Sequence, residues 1–156
     1  MPQDSTIALP DAPALAVGVK QCVWLTPDGE VETLSLAEAA RRLPRNLGSA
    51  PMVCHRASCS RRLRTGSFSG FDVLELFAFV RPARFCLPTI RGLAETLGLA
   101  LPNTLEQEAE TLFAAAATLL RELADSDRPA GADARPIAQA MSRGGWAWGP
   151  AVLDAL

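Results

Sequence analysis

The side chains with the most chemical capacity lie between residues 54 and 75. The run Cys54-His55-Arg56-Ala57-Ser58-Cys59-Ser60 brings two thiols, the only imidazole of the chain and two hydroxyls together, and Asp72 and Glu75 follow. Thiolates and imidazole are zinc ligands, but a structural zinc site takes four donors, usually from two spaced pairs. Cys22 and Cys86 stand in unrelated contexts, so the four cysteines read as free thiols and small buried hydrophobes, and no metal site is expected. A general base needs a nucleophile and an orienting group within hydrogen-bond reach. His55 has no evident partner, and Ser58 and Ser60 lack the setting of a triad, so His55 is expected to close a strand. An enzyme using His55 with the cysteines is one alternative. Asp72, directly ahead of the apolar run Val73–Val80, has the place of a helix N-cap. No Gly-x4-Gly-Lys-Ser/Thr loop occurs, and the glycines read as turns and helix stops.

Charge suggests a surface where catalysis lacks support. Between Arg41 and Arg91 stand ten arginines against two acids, while the net charge of the whole chain is only −2. One basic face on an otherwise acidic body suits a phosphate backbone or an acidic partner. Arg56, Arg61, Arg62 and Arg64 are the candidate nucleic-acid contacts within it. The plainer reading is that the arginines are solvated and that Arg is used in place of Lys, since Lys20 is the only lysine. A second candidate surface is the pair Trp146 and Trp148 in a Gly-rich turn, which either packs the terminal helix on the core or meets a protein partner.

These groups need a scaffold. With 156 residues, 49% of them apolar, the chain can bury one ordinary core. No run approaches the roughly 18 apolar residues of a membrane span, and the N-terminus lacks a basic segment followed by an apolar one, so a cytoplasmic location is expected. Residues 1–13 read as an extended lead-in. Ala14–Val19, Gln21–Thr26 and Glu30–Leu34 read as β-segments, with Pro27-Asp28-Gly29 as the turn of a hairpin. Ser35 with Glu38 forms a capping box for a helix over 36–43 that Pro44 stops. After a loop over 45–50, Pro51–Cys54 is a buried strand, and from there the pattern is helical to the end. Ser58 or Ser60 caps a helix through Arg64, Gly66–Gly70 is a loop, and Phe71 or Asp72 starts a helix ended by Pro82. Thr89 caps 90–97, Gly98 stops it, and 105–124 is the longest helix, acidic at its start as the helix dipole prefers. A linker over 125–135 leads to helices at 136–143 and 151–156. The division is therefore 1–13, a domain over 14–124, and a linker with helical extension over 125–156. The last helix is still being written at Leu156, which suggests that the chain continues in a longer parent.

The order of elements in PMVCHRASCSRRL, FDVLELFAFVRP and PTIRGLAETLGL resembles the middle of the DEDD proofreading-type exonucleases. In that family the strand ends in His-Asn-Ala-x-Phe-Asp, and the Asp holds a catalytic divalent metal; the matching position here is Ser60. The family's other acids come from Asp-x-Glu on the first strand and from a His and an Asp on the last long helix, where this chain has Gln107 and Leu112. Cleavage by two metals needs several carboxylates converging on cations about 4 Å apart. The resemblance thus implies a ribonuclease H-like α/β fold, with a small mixed sheet flanked by helices and a degenerate active site, and no catalytic residue in this chain. The counterpart of Asp72 in that family begins a helix without binding metal.

The segment FDVLELFAFVRPARFCLPTIRGLAETLGL, with PDAPALAVG near the start and MSRGGWAWGPAVLDAL at the end, further resembles the N-terminal region of DinG-like ATP-dependent DNA helicases of alphaproteobacteria. There a degenerate exonuclease-like module precedes the motor. The resemblance implies an accessory domain that holds or guides DNA, single-stranded DNA included, or docks on a following helicase motor. ATP and magnesium are implied for the parent helicase only, and no cofactor for this chain. The alternative from the residues is a protein-interaction module using Trp146, Trp148 and the acidic helix; an active nuclease is a further alternative that the missing acids oppose.

Overall fold

The turn at Pro27-Asp28-Gly29 sets the geometry of half the sheet. Gly29 takes φ +95°, a region closed to most residues with a Cβ, and donates its N–H to the Thr26 carbonyl at 3.0 Å. This turn joins β2 (Gln21–Leu25) to β3 (Val31–Ser35) in antiparallel register, Leu25 facing Val31 and Gln21 facing Ser35. Strand β1 (Ala14–Val17) runs antiparallel to β2, with Ala14 opposite Leu25. The capping box of helix α1 (Leu36–Arg42) forms as expected: Ser35 Oγ accepts the Glu38 N–H and the Glu38 carboxylate accepts the Ser35 N–H, each at 3.1 Å.

The computed structural model describes residues 6–44, 50–125 and 131–156, and side chains other than those of 131–133. The start of the lead-in (1–5), most of the loop after α1 (45–49) and the middle of the linker (126–130) lie outside the described residues. Strand β4 (Met52–Val53) pairs parallel to β1, Met52 opposite Ala14. After helix α2 (Arg56–Leu63) the chain returns as a short strand, β5 (Phe71–Asp72), parallel to β4. The sheet order is β3-β2-β1-β4-β5, with β2 antiparallel to its neighbours. Strand β5 corrects the expectation of helix from residue 54 onward. Two residues carry no readable periodicity, and the helix-capping Asp72 masks the strand that it ends.

Helices α3 (Val73–Val80), α4 (Ile90–Leu97) and α5 (Leu105–Ala124) follow at the expected places, with Asp72, Thr89 and Thr104 as N-caps. Helix α6 (Gly131–Arg143) begins five residues before Pro136. A proline inside a helix removes one hydrogen bond without preventing the turn ahead of it, so the expected start at 136 is corrected. Helix α7 (Gly149–Ala155) carries Pro150 in its first turn.

Alternation along the strands builds three layers. Leu15, Val17, Cys22 and Val53 point to one face, covered by Ala39 of α1 and Cys59 and Leu63 of α2. Ala14, Ala16, Val23, Met52 and Cys54 point to the other, against Leu76 and Phe77 of α3 and Leu112, Ala115, Ala116 and Leu119 of α5. The alanines of β1 meeting alanines of α5 let that long helix lie close to the sheet. Ala138, Trp148 and Val152 belong to this same core. The molecule is thus an α/β fold with a mixed sheet between helices, and among the described residues no helix is long and apolar enough to cross a membrane.

Candidate functional site

The centre of the region is Asp72, at the end of β5 and only 5% exposed. One carboxylate oxygen accepts the N–H groups of Leu74 and His55, each at 3.0 Å, and the other accepts that of Arg56 at 2.9 Å. Asp72 therefore caps its own helix and, across the sheet, also the start of α2. Parallel pairing of Val53 with Asp72 makes this possible, because it sets the ends of β4 and β5 side by side. The expectation that Ser58 or Ser60 caps α2 is corrected. Both lie inside α2, and the Ser60 hydroxyl donates to the Ala57 carbonyl. His55 occupies the N-cap position with φ +59°, makes no side-chain cap bond, and sits at the strand-to-helix corner as expected.

One turn further, Glu75 joins three elements. Its carboxylate accepts from the Arg56 guanidinium at 3.2 Å and from the Trp146 indole N–H at 3.3 Å. Burial pushes the Glu75 carboxyl above its ordinary value, the Asp72 charge adds to this, and Arg56 and Trp146 oppose it. Arg56 also donates to the Phe68 carbonyl. Its charge is paired with Glu75 on a side chain that is still partly exposed, so it adds less to the basic surface than an unpaired arginine would.

The remaining arginines divide. Arg62 donates to the Val17 carbonyl at 3.0 Å, which brings a cation to the C-terminal end of β1. Arg61 is exposed and touches Ser58, and Arg64 is exposed at the C-cap of α2 in a left-handed conformation, φ +52°. Three of the four sequence candidates are thus exposed at one end of α2. Across from Arg62, half-buried Glu108 of α5 has its carboxyl raised by burial and drawn back by the Arg62 charge. Neither Glu75 nor Glu108 was expected to pair with an arginine at this site. Glu108 was legible: with Leu105, Ala109 and Leu112 it completes the i, i+3, i+4, i+7 stripe, where an acid is out of place.

The positions matching the exonuclease acids hold side chains with structural duties. Gln107 completes the cap of α5: its N–H bonds Thr104 Oγ1 at 3.1 Å and its amide oxygen accepts the Asn103 N–H at 2.7 Å. Leu112 is fully buried in the core. With Ser60 turned to its own helix and β1 built of Ala, Leu, Ala and Val, these positions do not fit a pair of divalent cations. Among the described residues no group of three His, Cys, Asp or Glu side chains is placed to share a metal ion. Cys22, Cys54 and Cys59 are buried, and Cys59 donates to the Cys54 carbonyl. Burial pushes the Cys59 thiol up to about 12 and raises that of Cys54 further, with the Asp72 charge adding to both. Protonated, buried thiols are poor nucleophiles and poor ligands.

The two tryptophans do not form one surface. Trp148 is fully buried, stacks edge-on against Phe71 with ring centroids 5.3 Å apart, and donates its indole N–H to the Asp72 carbonyl at 2.8 Å. This corrects its candidacy as a partner contact, because a residue filling the core has no face to offer. Trp146 is half-buried against Phe79 and held by Glu75. No family model, no curated protein and no solved structure matches the chain.

Proposed function

We propose that this chain is a catalytically inert, ribonuclease H-like accessory module of a DinG-like ATP-dependent DNA helicase, and that it holds or guides DNA beside the motor. The strand order β3-β2-β1-β4-β5 with only β2 reversed, sandwiched between helices, supports the architecture. The observation that carries the functional reading is Arg62 bonded to the carbonyl of Val17 at the end of β1. In the exonuclease pattern the first strand supplies acids for metal ions; here it supplies none, and a guanidinium stands at its end. Arg61 and Arg64 extend the positive charge along the rim of α2. Positive charge without converging carboxylates favours a polyanion that is bound and left intact.

The test is binding of a labelled single-stranded oligonucleotide by the 156-residue chain at increasing salt. Affinity should fall steeply with salt, and the pair Arg61→Ala and Arg64→Ala should weaken it. The same pair should flatten the salt slope by about 1.4, from about 0.7 per phosphate contact on single strands. Binding that ignores salt, or no binding at 50 mM salt, would remove the DNA-holding role. Hydrolysis of DNA in manganese, lost on Arg62→Ala or Glu108→Gln, would remove the inertness.

A further inference from the structure

The loop between α3 and α4 presents an aromatic ring to solvent from a fixed base. Phe85 is 80% exposed and Leu87 53% exposed, whereas the other aromatic rings of the chain are partly or fully buried. Nothing about the loop's anchoring is loose. Arg81 is gripped by the carboxylate of Glu122 on α5 and donates to the Thr96 carbonyl. Arg84 N–H bonds the Arg81 carbonyl and Thr89 N–H bonds the Leu87 carbonyl at 2.8 Å. The far end presses on α4 so closely that a Cβ on Gly92 would stand 2.5 Å from the Leu87 oxygen. Prolines 82 and 88 bracket the segment and restrict it further. Phe85 and Leu87 together put apolar surface into water from one anchored loop, where it is open to a contact.

Charge selects the occupant. From Leu76 to Ala94 the chain carries Arg81, Arg84 and Arg91 and no acid, and Arg84 and Arg91 are exposed. An exposed aromatic face beside cations matches unpaired bases on a phosphate backbone, because every base has a π-face and every linkage an anionic oxygen. We infer that Phe85 is a stacking site for a base of single-stranded nucleic acid, with Arg84 as its phosphate contact. This inference rests on the DNA-holding role proposed above and assigns it a second contact, on the loop and separate from α2.

Binding of an oligothymidylate by the whole chain tests it, with Phe85→Ala and Phe85→Trp variants. Because the ring makes no core contact, both variants should melt like the parent. Phe85→Ala should weaken binding about fivefold or more, the range of losing one stacked base. Phe85→Trp should bind like the parent, with its added fluorescence quenched by the DNA. A parent that binds with salt-dependent affinity while Phe85→Ala binds equally well would overturn the stacking site and leave the role of Arg61 and Arg64 standing. A parent that binds no DNA would overturn both. Partition of Phe85→Trp into anionic lipid vesicles, with a blue-shifted emission and no response to DNA, would assign the loop to a membrane surface and overturn the inference.

Discussion

Trp148 donates its indole N–H to the main-chain carbonyl of Asp72 at 2.8 Å, a bond that spans 76 residues and ties the end of the chain to the end of β5. The side chain of the same Asp72 receives the first N–H groups of α2 and α3. One residue thereby fixes the starts of two helices and the seat of a third. The acid at this position is accounted for by the backbone groups that it satisfies.

Asp72→Ala should be among the most damaging single changes outside the apolar core. It removes the cap of α3, worth about 1 kcal/mol, and leaves the His55 and Arg56 N–H groups without their acceptor, at about 1–3 kcal/mol for each one that stays buried. A loss of about 3 kcal/mol or more is expected in urea denaturation. Asp72→Asn keeps one acceptor oxygen and should lose less.

Trp148 separates packing from hydrogen bonding. Trp148→Phe retains much of the ring stacked on Phe71 but loses the bond to the Asp72 carbonyl, which as the N-cap carbonyl of α3 still accepts a helical N–H, so the change should cost about 0.5–1.5 kcal/mol. Trp148→Ala adds a large cavity and should cost about 3–5 kcal/mol. Hydrogen exchange of α7 amides should rise in both variants, more steeply in the alanine, and an unchanged rate in Trp148→Ala would show that the indole does not anchor the helix.

The four thiols should divide by burial. Cys86 alone is partly exposed, while Cys22, Cys54 and Cys59 are buried with raised thiol values. In the native protein at pH 8 a thiol reagent should modify Cys86 first, and the other three should react at the rate of global or local unfolding. Mass spectrometry of the labelled peptides distinguishes them. Rapid native labelling of Cys54 or Cys59 would contradict the buried, protonated state.

Glu108 gives a pH dependence with a definite sign. Its folded-state carboxyl titrates above the ordinary glutamate value of 4.5 because burial penalises the charge more than Arg62 rewards it. The folded chain therefore holds this proton more tightly than the unfolded chain. The stability so gained is present below pH 4.5 and is lost as pH rises through the raised value. Glu108→Gln, which is neutral throughout, should be more stable than the parent at pH 7 and show little advantage at pH 4, read as Tm at the two pH values.

Much of this fold was written locally. The hairpin follows from Pro27-Asp28-Gly29, α1 from the Ser35/Glu38 box, α4 from Thr89 and Gly98, and α5 from its acidic first turn, because turns and helix ends are decided by residues within four positions of one another. Buried β4 was legible from an uncharged run ending at a polar corner. What the sequence could not state was partnership across distance. That β5 exists, that Asp72 caps α2 as well as α3, that Arg56 is spent on Glu75 while Arg62 reaches the end of β1, and that Trp148 belongs to the core all depend on which strand ends lie side by side. The sequence by itself determined the elements and their charge; only the tertiary structure decided which partner each arginine takes. The physical reason is that a guanidinium, a carboxylate or an indole N–H takes whichever partner the packed layers bring within 3 Å or so, and chain spacing carries no record of that choice.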